Sequence, residues 1–312
     1  MMQPKIGGAF AALVTPVDER GQVDLPAFDH LLEFVLERGV DGVVIGGATG
    51  EYVHSDIADR VRVSARAVER AAGRARVFTC VGTSSIFTTL RMARAAADAG
   101  NEALLLPMPS FFRYAQQDLA AFCEEVCRSV PAQFLLYNLP SFTTPLETAT
   151  AVRLLNSVPN LAGIKDSSGA PGNLDAFVHA RGAGGGFSLL VGDDRLLLSA
   201  QRAGWDGVIS GIACFAPELV AATYRAHRAG QAERASALQA MVDEIIERLV
   251  GLPVPWAVRV GLEVRGVPNG PMHLPLSPAR VRQVAEFRSW LKGWAARHQL
   301  PVDGVWMFER AA

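Results

Sequence analysis

Eight short runs of apolar, β-prone residues recur along this chain, each followed by a longer stretch of mixed polarity, and few folds accommodate that rhythm. The runs are Gly8–Val14, Gly42–Gly46, Arg76–Val81, Ala103–Leu106, Gln133–Tyr137, Leu161–Lys165, Ser188–Val191 and Gly207–Ser210. They are apolar throughout rather than alternating, which is the pattern of parallel strands covered on both faces. Between them, Leu25–Arg38, Ala58–Ala72, Phe87–Ala99, Gln117–Ser129, Pro145–Ser157 and Asp194–Ala203 carry helical spacing. Asp24 with Pro26, and the pair Ser55-Asp56, supply helix-start chemistry. Gly39, Gly73, Gly100 and Gly204 stand where helices stop in a left-handed turn. Eight β-then-α units predict an α/β chain closed into a (β/α)8 TIM barrel, with a doubly wound open sheet as the alternative.

From about Ala229 the spacing becomes purely helical, over Gln231–Leu249, Pro255–Glu263 and Ala279–Ala296. The expected division is a barrel over residues 1–228, a C-terminal helical region packed on it over 229–298, and a tail over 299–312. The tail carries Trp306, Met307 and Phe308 without periodicity. The glycine cluster from Gly182 to Gly186 reads as a loop.

Bulk properties narrow the partners. Half of the residues are hydrophobic, enough for a large core, and the net charge is −1. No basic footprint for nucleic acid or an anionic membrane is present. No stretch approaches the roughly 18 uninterrupted apolar residues that cross a bilayer, and the N-terminal apolar stretch is short and lacks a cleavage site. A cytoplasmic protein is expected. Cys80, Cys123, Cys127 and Cys214 lack ligand spacing and no histidine cluster accompanies them, so small buried thiols are expected and no metal.

Lysine usage then singles out one position. The chain has Lys5, Lys165 and Lys292 against 27 arginines, the 30 basic residues less those three. Lys165 ends the apolar run Leu161-Ala162-Gly163-Ile164, just before Asp166-Ser167-Ser168-Gly169. Arginine cannot lose its proton in a protein, whereas a desolvated lysine can, and then it is a nucleophile. An exposed lysine titrates near 10.4, so only about one in 2,500 is neutral at pH 7; burial at a barrel mouth lowers that value by several units. The bland alternative is a lysine snorkelling out of the sheet edge.

Catalytic groups of such barrels sit at the C-terminal strand ends, and three ends here are unusual. They are Gly46-Gly47-Ala48-Thr49-Gly50-Glu51, Tyr137-Asn138-Leu139-Pro140-Ser141 and Lys165-Asp166-Ser167-Ser168-Gly169. With these motifs the chain resembles the dihydrodipicolinate synthase / N-acetylneuraminate lyase superfamily of Schiff-base class I aldolases. The family's G-x-T-G-E, Y-N-x-P and G-x-K-[DE] motifs stand as Gly47–Glu51, Tyr137–Pro140 and Gly163–Asp166, in family order and spacing. The likeness extends from Gly8 to roughly Trp294 and takes in Gly192-Asp193-Asp194 and Gly207-Val208-Ile209-Ser210.

The resemblance implies that Lys165 attacks the ketone of pyruvate or a longer 2-keto acid, and that the protonated imine serves as electron sink. No organic cofactor is then required. It implies that Tyr137 transfers protons, where the plain alternative is a core tyrosine capping a carbonyl. Gly47–Gly50 offers a nest of backbone N–H groups for the pyruvate carboxylate, with Ala48 and the Thr49 hydroxyl contributing; an ordinary turn is the alternative. Glu51 is expected to fix that loop by accepting backbone donors, and the Ile209 carbonyl matches a family position near the imine. A homotetramer, built as a dimer of dimers, is a further implication.

The departures bear on the second substrate. The family's threonine pair is Ala48-Thr49 here, and its tyrosine pair aligns with Ser110-Phe111. Phe111 therefore occupies the position that enters a neighbouring subunit's site, and it passes no proton. Phe142 stands where synthases carry the arginine that holds the carboxylate of aspartate semialdehyde, and a phenyl ring offers no donor. Ser110, Ser141, Thr143, Thr144, Ser167 and Ser168 supply neutral hydroxyls, which suit a 2-keto-3-deoxy sugar acid. Met108, Phe111, Phe112 and Phe142 supply apolar surface, which suits a more hydrophobic aldehyde.

The first reading is thus a Schiff-base lyase, aldolase or dehydratase, acting on pyruvate-derived 2-keto acids and most of all on a sugar acid. The alternatives are 4-hydroxy-tetrahydrodipicolinate synthase, which condenses pyruvate with aspartate semialdehyde, and a non-catalytic 2-keto-acid-binding paralogue. A barrel built for a flavin or pyridoxal phosphate would need a phosphate grip where Asp193-Asp194 puts negative charge.

Overall fold

A computed structural model describes residues 5–182, 186–249 and 251–298. The expected tail, residues 299–312, and the middle of the glycine cluster lie outside the described residues. Strands β1 (Gly8–Ala12), β2 (Gly42–Ile45), β3 (Arg76–Cys80), β4 (Ala103–Pro107), β5 (Phe134–Asn138), β6 (Leu161–Asp166), β7 (Ser188–Val191) and β8 (Gly207–Ser210) form one closed barrel in sequence order. Every pairing is parallel, and β8 returns to β1. The open sheet is excluded, and the chain is a (β/α)8 barrel.

The helices between strands are α1 (Leu25–Leu36), α2 (Ile57–Ala71), α3 (Ile86–Asp98), α4 (Gln116–Ser129), α5 (Thr148–Ser157), α6 (Pro171–Arg181) and α7 (Leu197–Arg202). After β8 come α8 (Pro217–Arg228), α9 (Ala232–Leu249), α10 (Val254–Val264) and α11 (Pro278–Arg297). The caps follow local chemistry: Asp24 accepts from the Ala27 N–H and Asp56 from the Asp59 N–H. Two expected helices begin later than their spacing suggests. The segment from Pro145 becomes helical only at Thr148, and the one from Asp194 opens with a single 3-10 turn before α7. Among the described residues no helix is long and apolar enough to cross a membrane, and all four cysteines are buried and unpaired.

Two apolar layers result. The larger lies between strands and helices. The smaller fills the barrel with inward side chains, among them Phe10, Val44, Phe78, Leu105, Leu135, Tyr137, Leu190 and Ile209. Along the strands other than β6 these alternate with residues of the outer layer, the period of two that a strand imposes. One irregularity matters for everything at the barrel mouth. Phe134 pairs with Leu161, but Leu135 pairs with Gly163, so β6 carries one extra residue at a bulge. Beyond it Tyr137 pairs with Lys165 and Asn138 with Asp166. Without the extra residue Ile164 would stand beside Tyr137.

Candidate active site

Lys165 ends up inside the barrel mouth, 4% exposed, with its Nζ 4.2 Å from the centroid of the Tyr137 ring. Room for its stem is made by β7: a Cβ on Gly192 would collide with Ser167 Oγ and Lys165 Cε. Gly163 is equally constrained, since a side chain there would strike the Ser188 carbonyl of β7. Burial pushes the Lys165 ammonium down to about 8, against the pull of Cys80 and Asp194. A group titrating there is neutral in roughly one molecule in ten at pH 7, a gain of about two orders of magnitude over an exposed lysine. Snorkelling is excluded by the burial.

Tyr137 is 2% exposed. Burial raises its phenol well above the ordinary range, with Cys80 adding to the shift, while hydrogen bonds from Ser167 and the Ala48 backbone oppose it. The phenol is thus a proton donor at neutral pH. The residues that follow tie the two strands together. Asn138 Nδ2 donates to Asp166 Oδ1 at 2.7 Å, Ser168 Oγ donates to Asp166 Oδ2 at 2.7 Å, and Asn138 Oδ1 accepts from the Leu146 N–H at 3.0 Å. A buried carboxylate with three side-chain donors, Asn173 being the third, holds its position without a cation.

The Gly47–Glu51 turn sits beside them. Gly46 has φ +62°, which glycine adopts freely, and Glu51 has φ +52°, which a glutamate rarely does. The expectation that Glu51 takes backbone donors is corrected by the structure. Its carboxylate is buried against the Arg259 guanidinium of α10, Oε2 lying 2.8 Å from Nε and 2.7 Å from Nη2. Arg259 also donates to the Thr15 and Asn269 carbonyls, and Thr15 Oγ1 donates to the Gly50 carbonyl at 2.9 Å. The turn is therefore clamped from the C-terminal helices. Arg259 was missed in the sequence, although a lone arginine within Ala257-Val258-Arg259-Val260-Gly261 is the signal that marks a buried partner for a carboxylate.

Thr49 is buried, and its Oγ1 lies near the bare Cα of Gly211, which follows β8. Ala48 packs against the interior cluster, and Ile209 belongs to it. Ser167 reaches the Tyr137 hydroxyl. The structure thus brings Lys165, Tyr137, Ala48 and Ser167 together, with Ile209 in the same interior cluster and Thr49 against Gly211 after β8. It leaves Phe111 and Phe142 outside: their rings are 88% and 62% exposed. Both loops bearing them are joined, through a Ser110–Thr143 bridge and the Arg113 guanidinium on the Thr143 carbonyl at 3.1 Å. Phe111 has φ +82° and packs edge-on against Phe112.

The acid pair after β7 divides. Asp193 is taken by Arg195 through Nε at 3.0 Å and Nη2 at 2.6 Å. Asp194 has Oδ2 on the Ile212 N–H at 3.4 Å, and burial raises its carboxyl to about 6, opposed by Ser210 and Ile212. Negative charge at this corner is smaller than two adjacent aspartates suggest.

Comparison with known proteins identifies the family and the fold. The model of the dihydrodipicolinate synthetase family matches residues 5–293. The 4-hydroxy-tetrahydrodipicolinate synthase of Sorangium cellulosum is 34% identical over 281 residues, covering 89% of this chain and 93% of that protein. Among solved structures, the chloride-inhibited dihydrodipicolinate synthase of Acinetobacter baumannii complexed with pyruvate superposes with a TM-score of 0.87 at 28% identity, over 93% of this chain and 99% of that one. Dihydrodipicolinate synthase from Aquifex aeolicus gives a TM-score of 0.87 at 27% identity, over 93% and 98%.

Proposed function

This chain belongs to the dihydrodipicolinate synthetase family and is a class I, lysine-imine lyase, and from that premise we propose that it cleaves or dehydrates a 2-keto-3-deoxy sugar acid. The observation that carries the chemistry is Lys165 buried against Tyr137, with its ammonium lowered to about 8. In this reading the neutral Lys165 amine forms a C–N bond with the ketone carbon. The ketone oxygen leaves as water, taking one hydrogen from the amine and one proton from solvent relayed by Tyr137. The C=N bond of the resulting cation draws in the electron pair of the breaking bond at C3 as an enamine forms. Tyr137 then manages the proton on the departing oxygen. The Ala48 backbone and Thr49 hydroxyl receive the carboxylate, and the Ile209 carbonyl lies beside the imine.

The sugar-acid class is supported by what the mouth offers. Ser167, beside the Tyr137 hydroxyl, and Ser110 and Ser141 on the loops above supply neutral hydroxyls. Phe142 supplies no donor for a second carboxylate. A second reading, 4-hydroxy-tetrahydrodipicolinate synthase, is favoured by the names of the relatives. It would have Arg113, whose guanidinium donates to the carbonyl of Thr143 next in sequence to Phe142, take the carboxylate instead. The same proposal includes a cytoplasmic homotetramer in which a neighbouring subunit covers Phe111.

Reduction with borohydride in the presence of pyruvate tests the nucleophile: one pyruvyl mass is expected on Lys165. Labelling that survives Lys165→Ala would refute the assignment. A panel of 2-keto-3-deoxy acids, read by pyruvate release, tests the substrate. Turnover confined to pyruvate with aspartate semialdehyde would replace the sugar-acid reading, and trapping with no turnover on any substrate would mean a binding protein.

A further inference from the structure

Imine chemistry creates a cation in a buried place. The neutral amine becomes a C=N–H group bearing a full positive charge, and the charge disappears only when the enamine forms. A cation in a desolvated pocket is costly without a partner. The groups that face Lys165 electrostatically are Cys80 from β3, Tyr137 from β5 and Asp194 after β7. The Cys80 thiol and the Tyr137 phenol are both pushed upward by burial, so neither is negative near neutrality.

Asp194 differs from its neighbour in what it has left over. Asp193 spends both oxygens on Arg195. Asp194 Oδ2 accepts from the Ile212 N–H at 3.4 Å and the Ser210 hydroxyl lies at the same carboxyl group, while Oδ1 is sealed from solvent and has no hydrogen-bond partner within normal geometry. The backbone carbonyl of Asp194 is fixed by Gln239 from α9, at 3.1 Å, and Gln239 in turn holds Asp243 at 2.9 Å. Asp194 lies two residues beyond Gly192, whose bare Cα lies against the Lys165 stem. A carboxylate oxygen is rarely buried unpaired at no benefit.

We propose that Asp194 is the counter-ion of the cationic imine on Lys165, a positioning residue whose free oxygen balances the charge that forms there. It acts through Lys165 and touches no reacting atom. The proposal rests on Lys165 being the imine-forming residue. It accounts for why the strands deliver one spent and one spare aspartate to the same corner, and it sets a lower pH bound on activity. Asp194 titrates at about 6, so the counter-ion is lost as pH falls through that value.

The test follows the pH dependence of pyruvate trapping by borohydride, and of kcat for pyruvate release, in the intact enzyme. In Asp194→Asn the trapped mass should remain on Lys165. The alkaline midpoint of trapping should fall by about one unit, because an attractive charge has been removed from the ammonium. Turnover should drop roughly 10- to 100-fold, and the acid limb near pH 6 should vanish. Asp194→Glu, which keeps the charge, should restore the midpoint. Should Asp194→Asn fail to fold, Asp194→Ser is read in the same way. An unchanged midpoint with normal trapping in either neutral variant overturns the proposal, whatever happens to kcat. Absence of trapping on Lys165 in the wild-type enzyme defeats the prior reading of Lys165 instead, so the two failures are separable.

Discussion

The ends of β5 and β6 and the loops after β4 and β5 share one barrel mouth, yet they are built on opposite terms. At the floor, Lys165 and Tyr137 are cross-strand partners, buried, and tied by Asn138 and Asp166 immediately beyond them. At the rim, Phe111, Phe112 and Phe142 put apolar rings into solvent, at 88%, 63% and 62% exposure. Exposed aromatic clusters of this size mark surfaces meant for a partner or a ligand. The floor defines a reaction that depends on a desolvated amine. In the proposed reading the rim selects what is brought to it, and Phe111 and Phe142 there depart from the synthase pattern.

If the floor carries the chemistry, its variants should reduce turnover far more than any rim variant. Tyr137→Phe keeps the ring over Lys165 and removes only the hydroxyl. We expect kcat for pyruvate release to fall by about 10² to 10³, within the range usual for a positioned acid or base. KM should change little and borohydride trapping should persist at a reduced rate. A loss of less than about fivefold would mean that the phenol is a core group, and the contrast between floor and rim would lose its meaning.

That contrast also explains what could be read from the chain. Strand identity, order and the closed barrel follow from local runs of apolar residues, because a parallel strand covered on both faces leaves a continuous signature. Lys165 was visible because a charge ended such a run. The bulge at Phe134 and Leu135 was not visible, since register depends on pairing with another strand rather than on β6 alone. Arg259 was missed because its partner Glu51 is 208 residues away, a distance no local pattern spans. The helix α6 carries only Leu174 and Phe177 as buried residues, too few to form a stripe. Asp194 was read as plain repulsive charge, because burial and the claim of Arg195 on Asp193 are properties of the folded corner.

The floor should also be the less stable region for its function. Burial moves Lys165 from 10.5 to about 8, which corresponds to a penalty of about 3 kcal/mol on the charged form. Between those two values the unfolded chain binds the proton and the folded chain does not, so stability rises with pH across that window. Below pH 8 the penalty is present in full. Lys165→Met, which keeps the stem and removes the charge, should therefore stabilise the fold by about 2 to 3 kcal/mol at pH 7 while abolishing activity. The gain should shrink between pH 8 and 10.5 in chemical unfolding. A Met variant that is less stable at every pH would show that the amine is not under strain.

The smallest expected effect lies at the rim, and it sharpens the division most. Phe142→Arg places a guanidinium where the exposed ring now stands, on a loop already held to its neighbour by the Ser110–Thr143 bridge. A charge-assisted contact to a substrate carboxylate at an exposed site is worth about 1 kcal/mol. We therefore expect kcat/KM for aspartate semialdehyde to rise only about five- to tenfold. Added salt should erode that gain, since an exposed pair is screened within about 10 Å at 0.1 M. Trapping of pyruvate on Lys165 should be unaffected, because no floor group has changed. A gain in trapping would mean that floor and rim are coupled, and no gain with the aldehyde would locate recognition of its carboxylate away from Phe142, with Arg113 as the candidate.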